Sequence, residues 1–434
     1  MKSSEINTTA QAIAYIHSLP RLHPDKSLQY VQRALTALKN PQQKIKTVHV
    51  TGTNGKGSVC YYLTNLLVNS GFKVGTFASP YVKTFNERIQ INGKPIDDAK
   101  LLLLTQKIMN LVTQIKKENP DFYLVEFEFL TVMMFEYFAH EKVDFGIVEV
   151  GIGGEHDKTN VITPELAIIT NIGMDHAQLI GPTLSDIAQE KAGIIKFQKP
   201  VILGEIPSKV QSIIDTRAKQ QQAPVYQLGK HFKIEQIQLH DVSRTSFTWN
   251  NQTLSFKDLQ IASFAPTQVI DAALAVQAYL ILCPQATVSN VIIQKSLAVD
   301  NLPGRTQIIS RDPLIILDGA HNEPAIRALI TNLGAIRQQR RVVVLYAAMV
   351  DKQRQNILEQ LEAFADEIII TTLDEARAAK SSDYQDLKPQ EHFIQPWPVA
   401  FAQAVTSLDS ESMLVICGSL HFASAILDLL KPEN

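Results

Sequence analysis

Residues 47–58 read Thr47-Val48-His49-Val50-Thr51-Gly52-Thr53-Asn54-Gly55-Lys56-Gly57-Ser58. A β-branched run, Thr47–Val50, enters a turn containing three glycines and a lysine. The turn opens a stretch in which Val59, Tyr62, Leu63, Leu66 and Leu67 fall on one helical face, with Gly71 as a C-terminal stop signal. Strand, glycine turn and helix together make a phosphate-binding loop. Glycine lets the backbone turn so that successive N–H groups face an anion, and the helix N-terminus adds its dipole. Lys56 is placed to neutralise the outer phosphates, and the Ser58 hydroxyl is a candidate Mg²⁺ ligand. The first glycine is nearer to Gly55-Lys56 than the strict GxxxxGK[ST] spacing allows. Thr53, Asn54, Gly55, Lys56, Gly57 and Ser58 are therefore the expected nucleotide-binding set.

Outward from this loop, apolar β-branched runs alternate with helical patterns, which predicts an α/β fold with a largely parallel sheet. Expected strands are Phe145–Val150, Leu166–Thr170 and Val201–Leu203. The texture changes near Tyr226–Phe256, where short alternating runs flank Asn250-Asn251. This predicts a small β-subdomain with a hairpin turn at the two asparagines. A helical stretch, Ile270–Leu282, follows. Past Leu302 the α/β alternation resumes with Leu314–Leu317, a helix opened by Pro324, Val342–Leu345, Glu367–Thr371 and Leu414–Cys417. The expected division is an ATP-binding domain over 1–298 with a parallel sheet and small β-subdomain, and a smaller Rossmann-like α/β domain over 299–434. The linker is expected at Ala298–Pro303.

Composition narrows the function. The 434 residues are 45% apolar and 19% charged, with a formal net charge of -2. A nucleic-acid binder would more often carry a basic surplus, and none is present. Cys60, Cys283 and Cys417 are scattered and form no metal-ligand spacing. The longest apolar run, Val342–Val350, is too short to span a bilayer. These features predict a cytoplasmic enzyme with no membrane anchor and no nucleic-acid partner.

Further motifs follow in order: Ser79-Pro80-Tyr81; Asn86-Glu87-Arg88-Ile89-Gln90-Ile91-Asn92-Gly93; Glu149-Val150-Gly151-Ile152-Gly153-Gly154 with Asp157 and Thr159-Asn160; Asn171-Ile172-Gly173-Met174-Asp175-His176; Glu190-Lys191-Ala192-Gly193-Ile194; Leu302-Pro303-Gly304-Arg305; Leu317-Asp318-Gly319-Ala320-His321-Asn322-Glu323-Pro324; and Gly418-Ser419-Leu420. With the phosphate loop, this series resembles the folylpolyglutamate synthase/dihydrofolate synthase family of the Mur ligase superfamily, from about Thr47 to Leu420. Only about fifty residues precede Gly52, too few for the nucleotide-sugar domain of a peptidoglycan Mur ligase. A nucleotide-binding protein that is not a ligase would have no use for the second-domain set Arg305, Asp318 and His321.

The resemblance implies an ATP- and Mg²⁺-dependent ligase that joins L-glutamate to a folate through an acyl phosphate. It leaves the acceptor open between a reduced folate and dihydropteroate. It implies that Ser79, Glu149 and His176 hold metal, that Arg305 and Asp318 meet ATP, and that His321 and Ser419 serve the glutamate side. Glu149 at a strand end needs a charged partner in any case, while histidine is an uncommon Mg²⁺ ligand. For Asp318 an N-cap of the following helix is the alternative role. The family's adenine-contacting stretch corresponds to Ala265–Ala272, where Gln268 is retained but Thr267 and Asp271 replace a histidine and an asparagine. Lys191 reads either as a surface ion-pairing residue beside Glu190 or, by resemblance, as a lysine carbamylated by CO₂. The catalytic set expected is Lys56, Lys191, Asp318 and His321, and the chain is expected to act as a monomer.

Overall fold

The computed structural model describes residues 3–284, 289–300, 302–350, 354–375, 377–384 and 387–431. Asn301, inside the expected linker, lies outside them. The chain forms two compact units. One comprises Met1–Ile234, Trp249–Phe256 and Ile270–Leu297; the other comprises Glu235–Thr248, Lys257–Val269 and Ala298–Asn434. The second unit thus takes two stretches that a single cut at 298/299 would give to the first.

The first unit is built on an eight-stranded sheet: β1 (Lys46–Thr51), β2 (Val74–Phe77), β3 (Ile89–Ile91), β4 (Lys94–Pro95), β5 (Phe145–Glu149), β6 (Leu166–Asn171), β7 (Val201–Glu205) and β8 (Val225–Gln227). Their order is β4-β3-β2-β5-β1-β6-β7-β8. The run from β2 to β8 is parallel, and β3 and β4 add an antiparallel edge. Both neighbours of β1 come from later in the chain, so the strand order switches direction around it. In open α/β sheets, ligands bind at the carboxyl ends of strands at such a point. The phosphate loop leaves β1 there, with Val50 in register with both Glu149 of β5 and Ile168 of β6.

Parallel strands are covered on both faces and so read as continuous apolar runs. On one face the helices Asp98–Glu118 and Glu126–His140 bury Ile108, Phe129, Met133, Phe135 and Phe138 with Phe77 and Val148. On another, the helices Leu184–Ala192 and Ser208–Gln220 pack Ile187, Ala188, Val210 and Ile214 against Ile169 and Leu203. The helix after the phosphate loop is Lys56–Asn69, and its expected apolar face is buried. It ends as its composition predicts: Gly71 has φ +90, and Phe72 N–H donates to Leu67 O.

A three-stranded sheet, β9 (Phe232–Asp241), β10 (Arg244–Asn251) and β11 (Ser255–Ile261), has the order β11-β10-β9. The expected turn at Asn250-Asn251 is displaced. Both asparagines are still in β10, and the reversal follows them, because the Asn251 side chain accepts from the N–H groups of Thr253 and Leu254. The Asx turn outcompetes the two-residue turn that the pair suggests. The helix expected from Ile270 starts earlier and spans Pro266–Leu282, with proline in its first turn.

The second unit contains β12 (Gln307–Arg311), β13 (Leu314–Leu317), β14 (Arg341–Tyr346), β15 (Glu367–Ile370), β16 (Glu391–Phe393) and β17 (Ser412–Cys417), in the order β12-β13-β17-β14-β15-β16. All pairs but β12–β13 are parallel. The last strand inserts between β13 and β14, which sets the segments after Leu317 and Cys417 side by side. Among the described residues no helix is long and apolar enough to cross a membrane.

Gly75 on β2 tests this packing. A Cβ there would lie 2.7 Å from the Phe138 ring. The ring is wedged in the core, so Gly75→Ala should destabilise the protein by about 1–3 kcal/mol. Denaturant unfolding should show a lower midpoint with an unchanged slope.

Candidate active site

The phosphate loop is held by β6. Asn171, at the end of that strand, accepts at Oδ1 from the N–H groups of Thr53 (3.1 Å) and Asn54 (2.9 Å). The Thr53 hydroxyl donates to Gly173 O at 2.9 Å, the Thr170 hydroxyl to Asn54 O at 2.5 Å, and the Thr51 hydroxyl to Gly153 O at 2.6 Å. This corrects the sequence expectation in one respect. The N–H groups of Thr53 and Asn54 are engaged by Asn171 and do not face an anion in this conformation. Gly55 caps the helix Lys56–Asn69 with φ +81, a left-handed conformation that favours glycine. A Cβ at Gly55 would also come within 2.4 Å of Asp271 Oδ1, so the family-departing aspartate lies against the loop. Lys56 Nζ donates to Gly52 O and Thr53 O at 3.0 and 3.2 Å. Ser58 is buried in the first turn of the helix.

Glu149 ends β5, buried, and its Oε2 accepts from Ser79 N–H at 3.1 Å. Two of the three expected metal-site residues are thereby brought together. The loop after Glu149 is folded around Asp157. That carboxylate accepts from Ile152 N–H at 3.0 Å, from Thr159 N–H at 3.0 Å and from the Thr159 hydroxyl. Burial pushes Asp157 above the usual carboxylate range, and these hydrogen bonds oppose the shift. Thr159 also meets His49 Nε2 at 2.8 Å; burial and Lys196 push that imidazole down to about 3, so it is neutral at physiological pH.

His176 has φ +51, and its backbone N–H is held by Asp175 Oδ1 at 2.9 Å. Gly52, Thr53, Lys56, residues 150–153, Asp175, His176, Ile180 and Lys191 line one small cavity. The structure therefore gathers Lys56, His176 and Lys191 about a single space in the first unit. Lys191 is 3% exposed, which excludes the surface ion-pair reading. Glu190 turns away and pairs with His156 at 2.9 Å. Lys191 follows Ile187 by one helical turn on the buried face of Leu184–Ala192. Burial, with Lys56 adding to it, lowers the Lys191 ammonium to about 7, against the pull of Asp175, Glu190 and Asp157.

In the second unit, Asp318 follows β13. It accepts from Thr306 N–H at Oδ2 and from Ala320 N–H at Oδ1, both at 2.7 Å. Its carboxyl is raised by burial, with Arg305 opposing. Asp318 is thus not the helix cap; Asn322 caps Glu323–Arg337 by accepting from Ala325 N–H at 2.9 Å. His321 Nδ1 lies 2.8 Å from Gly319 O. Ser419 caps Leu420–Leu429 through Phe422 N–H, and Gly418 N–H donates to Ala320 O at 2.8 Å, tying the two strand ends together. Gln268 is buried in the first turn of Pro266–Leu282, while Thr267 accepts from Asn332 Nδ2 at 3.1 Å. Asn171, Asp157 and Asp175 had no assigned role from the sequence. Each stood in a quoted motif, but its partners are distant or backbone groups.

Comparison with known proteins fits this arrangement. The Mur ligase middle domain matches residues 105–275, and the Mur ligase glutamate ligase domain matches 304–420. The chain is 33% identical to folylpolyglutamate synthase of Lacticaseibacillus casei over 97% of this chain and 98% of that one. It is 32% identical to dihydrofolate synthase/folylpolyglutamate synthase of Bacillus subtilis, with the same coverage. A solved FPGS–AMPPCP–folate complex superposes with a TM-score of 0.87 at 32% identity, covering 99% of this chain and all of the other. The fold and the site define an ATP-dependent ligase with Mur ligase domains. Within that class, the chain belongs to the folylpolyglutamate synthase/dihydrofolate synthase family.

The buried Lys191 sets a stability test. The folded state releases its proton near pH 7, whereas an unfolded lysine holds it to about pH 10.4. Between these values the unfolded chain binds more protons, so the stability contribution of Lys191 rises with pH. Its penalty is complete below pH 7 and gone above about pH 10.4. In buffer free of CO₂ and metal, Lys191→Met should therefore stabilise the fold at pH 6 and gain progressively less towards pH 10. Urea titrations across that range measure the difference.

Proposed function

We propose that this chain uses ATP to join L-glutamate to the carboxylate of a folate, with reduced folates and dihydropteroate as the acceptors to compare. The observation that carries the reading is the cavity shared by Lys56, Asp175, His176 and Lys191 with residues 151–153. A folate carboxylate oxygen attacks the γ-phosphorus of ATP, the bond to the β,γ-bridging oxygen breaks, and ADP leaves. The neutral amine of glutamate attacks the acyl carbon, loses a proton, and phosphate departs as the amide forms. The protein's work is positioning and charge neutralisation. Lys56 is assigned to the outer phosphates after releasing the loop carbonyls that it now binds, and Arg305 and Asp318 to ATP in the second unit. His321 and Ser419 are assigned to glutamate.

The donors assigned to Mg²⁺, which prefers hard oxygen ligands, are the Glu149 carboxylate with the Ser79 and Ser58 hydroxyls; His176, which lines the cavity of Lys56 and Lys191, is assigned with them. When bound, the ion would offset charge on the phosphoryl oxygens. Glu149 is held ready by Ser79 N–H, which fixes its carboxylate at the strand end.

Lys191 is assigned a carbamate. An amine that titrates near 7 is substantially neutral at working pH. Its lone pair attacks the carbon of CO₂, a C=O π pair moves to oxygen, and the nitrogen loses a proton. The product is an anion that removes like-charge repulsion with Lys56 and adds an oxygen donor to the cavity.

Offering labelled glutamate and ATP with tetrahydrofolate or dihydropteroate separately tests the reaction; ADP release should require both glutamate and acceptor. Lys56→Ala should lower turnover at least about 100-fold while leaving the unfolding midpoint near wild type. Lys191→Ala should lose most activity and regain part of it with added short carboxylic acids. Wild-type turnover without rescue would remove the carbamate.

A further inference from the structure

We propose that His49 is a positioning residue for the ligase reaction, fastening the turn after β5 to β1 through one ordered chain of hydrogen bonds; this rests on the ligase reading above. His49 stands on β1 in register with Val148 of β5 and Ala167 of β6, and it is fully buried. Its Nε2 lies 2.8 Å from the Thr159 hydroxyl, and that hydroxyl bonds Asp157 Oδ1. Asp157 Oδ2 in turn accepts from Ile152 N–H at 3.0 Å. Ile152 lines the cavity with Lys56 and Lys191. Residues two apart on a strand share a face, and Thr51, two residues on, donates its hydroxyl to Gly153 O at 2.6 Å. The strand that launches the phosphate loop thus also fastens residues 152 and 153 of the cavity wall.

The direction of each bond follows from counting hydrogens. Asp157 accepts from the N–H groups of Ile152 and Thr159, which suits a carboxylate better than a carboxylic acid. The single hydrogen of the Thr159 hydroxyl therefore goes to Asp157, and the Thr159 oxygen accepts from His49. That requires a neutral imidazole with its hydrogen on Nε2. Nδ1 is then a bare lone pair, and it is buried with no hydrogen-bond partner among the described residues. The reversed order would put a proton on Asp157, forfeit the charge that the backbone donors favour, and leave a buried N–H at Nδ1 without an acceptor.

The chain reaches the cavity in two ways. It fixes the position of Ile152, and it supports an ionised Asp157. Burial pushes the Asp157 carboxyl up, and the Thr159 hydroxyl, turned towards it by His49, opposes that shift. The resulting carboxylate acts on the buried Lys191. The competing account is a core histidine that serves packing alone. Packing is indifferent to the place of one hydrogen, so such a residue would need neither a particular tautomer nor a polar replacement of the right length.

NMR of the full chain with isotopically labelled histidine nitrogens, the His49 signals being those lost in His49→Gln, should show the Nε2–H tautomer. His49→Leu and Thr159→Val should each lower kcat at least about tenfold, the order expected for one hydrogen bond in a chain to a charged group. Affinity for a non-hydrolysable ATP analogue should stay within about threefold. The double variant should be no slower than the slower single variant, because both changes break one chain; independent contributions would multiply to about a hundredfold. His49→Gln places an amide N–H where Nε2 stands and should recover most of the loss, whereas His49→Asn is too short and should not. An Nδ1–H tautomer would overturn the proposal, as would wild-type kcat in His49→Leu, multiplying losses, or equal loss in the glutamine and asparagine variants. If the leucine or valine variant fails to fold, the tautomer and the glutamine–asparagine comparison still decide. Wild-type enzyme that joins no glutamate to a folate would end the ligase reading, and the tautomer would still decide the ordered chain.

Discussion

The side-chain carbonyl of Asn171 fixes the site of the first unit. It accepts from two consecutive N–H groups of the phosphate loop and so joins the end of β6 to the turn leaving β1. Buried backbone donors must be satisfied, and a glycine-rich turn has few internal means of doing so. Asn171, with the hydroxyls of Thr170 and Thr53, supplies the missing partners. That clamp orients the first turn of Lys56–Asn69 and sets Lys56 over the loop carbonyls. It also brings Asp175 and His176, which follow Gly173, to the same cavity.

Charge is distributed around that clamp with unusual economy. Lys56 and Lys191 line the cavity with Asp175, and Asp175 and Asp157 both act on Lys191; Glu149 ends the neighbouring strand. The carboxylates are immobilised by backbone N–H groups: Glu149 by Ser79, Asp157 by Ile152 and Thr159, and Asp175 through His176. Fixed negative charges cost little reorganisation when a substrate arrives. Lys191 shows the opposite condition, since burial drives its proton off near neutrality. Lys56 is only half-buried at the loop, whereas Lys191 sits deep in the same unit, so one residue type meets two environments beside one cavity.

Much of the fold was legible because buried parallel strands write themselves as β-branched runs. Leu314–Leu317 was read with its observed bounds, and the phosphate loop was clear from its glycines. The helices Thr9–Ser18, Gln29–Ala37, Asp98–Glu118 and Glu126–His140 were not assigned. Only Glu126–His140 is buried nearly all round, which erases its period; Thr9–Ser18, Gln29–Ala37 and Asp98–Glu118 each bury mainly one stripe. Lys191 was ambiguous because Glu190 and Lys196 beside it look like a solvated surface. Only the packing shows that Ile187 and Lys191 share the inward face. Asp318 posed a similar ambiguity, settled when Asn322 proved to hold the cap.

The second unit repeats the device of the first with different residues. β17 inserts between β13 and β14, and the loops after Leu317 and Cys417 become neighbours at the carboxyl ends of parallel strands. There Asp318 organises the turn at Thr306, while Gly418 and Ala320 join the two loops. Gly418 has φ +116, and a Cβ on it would meet Ala347 O at 2.4 Å, so the chain between β17 and Ser419 has room for no other residue. Strand insertion is a long-range property of topology, invisible to local periodicity. It nevertheless explains why Asp318, His321 and Ser419, separated by about a hundred residues of sequence, stand on adjoining loops. In each unit a buried strand order creates the location, and one short polar side chain at a strand end makes it rigid enough for chemistry.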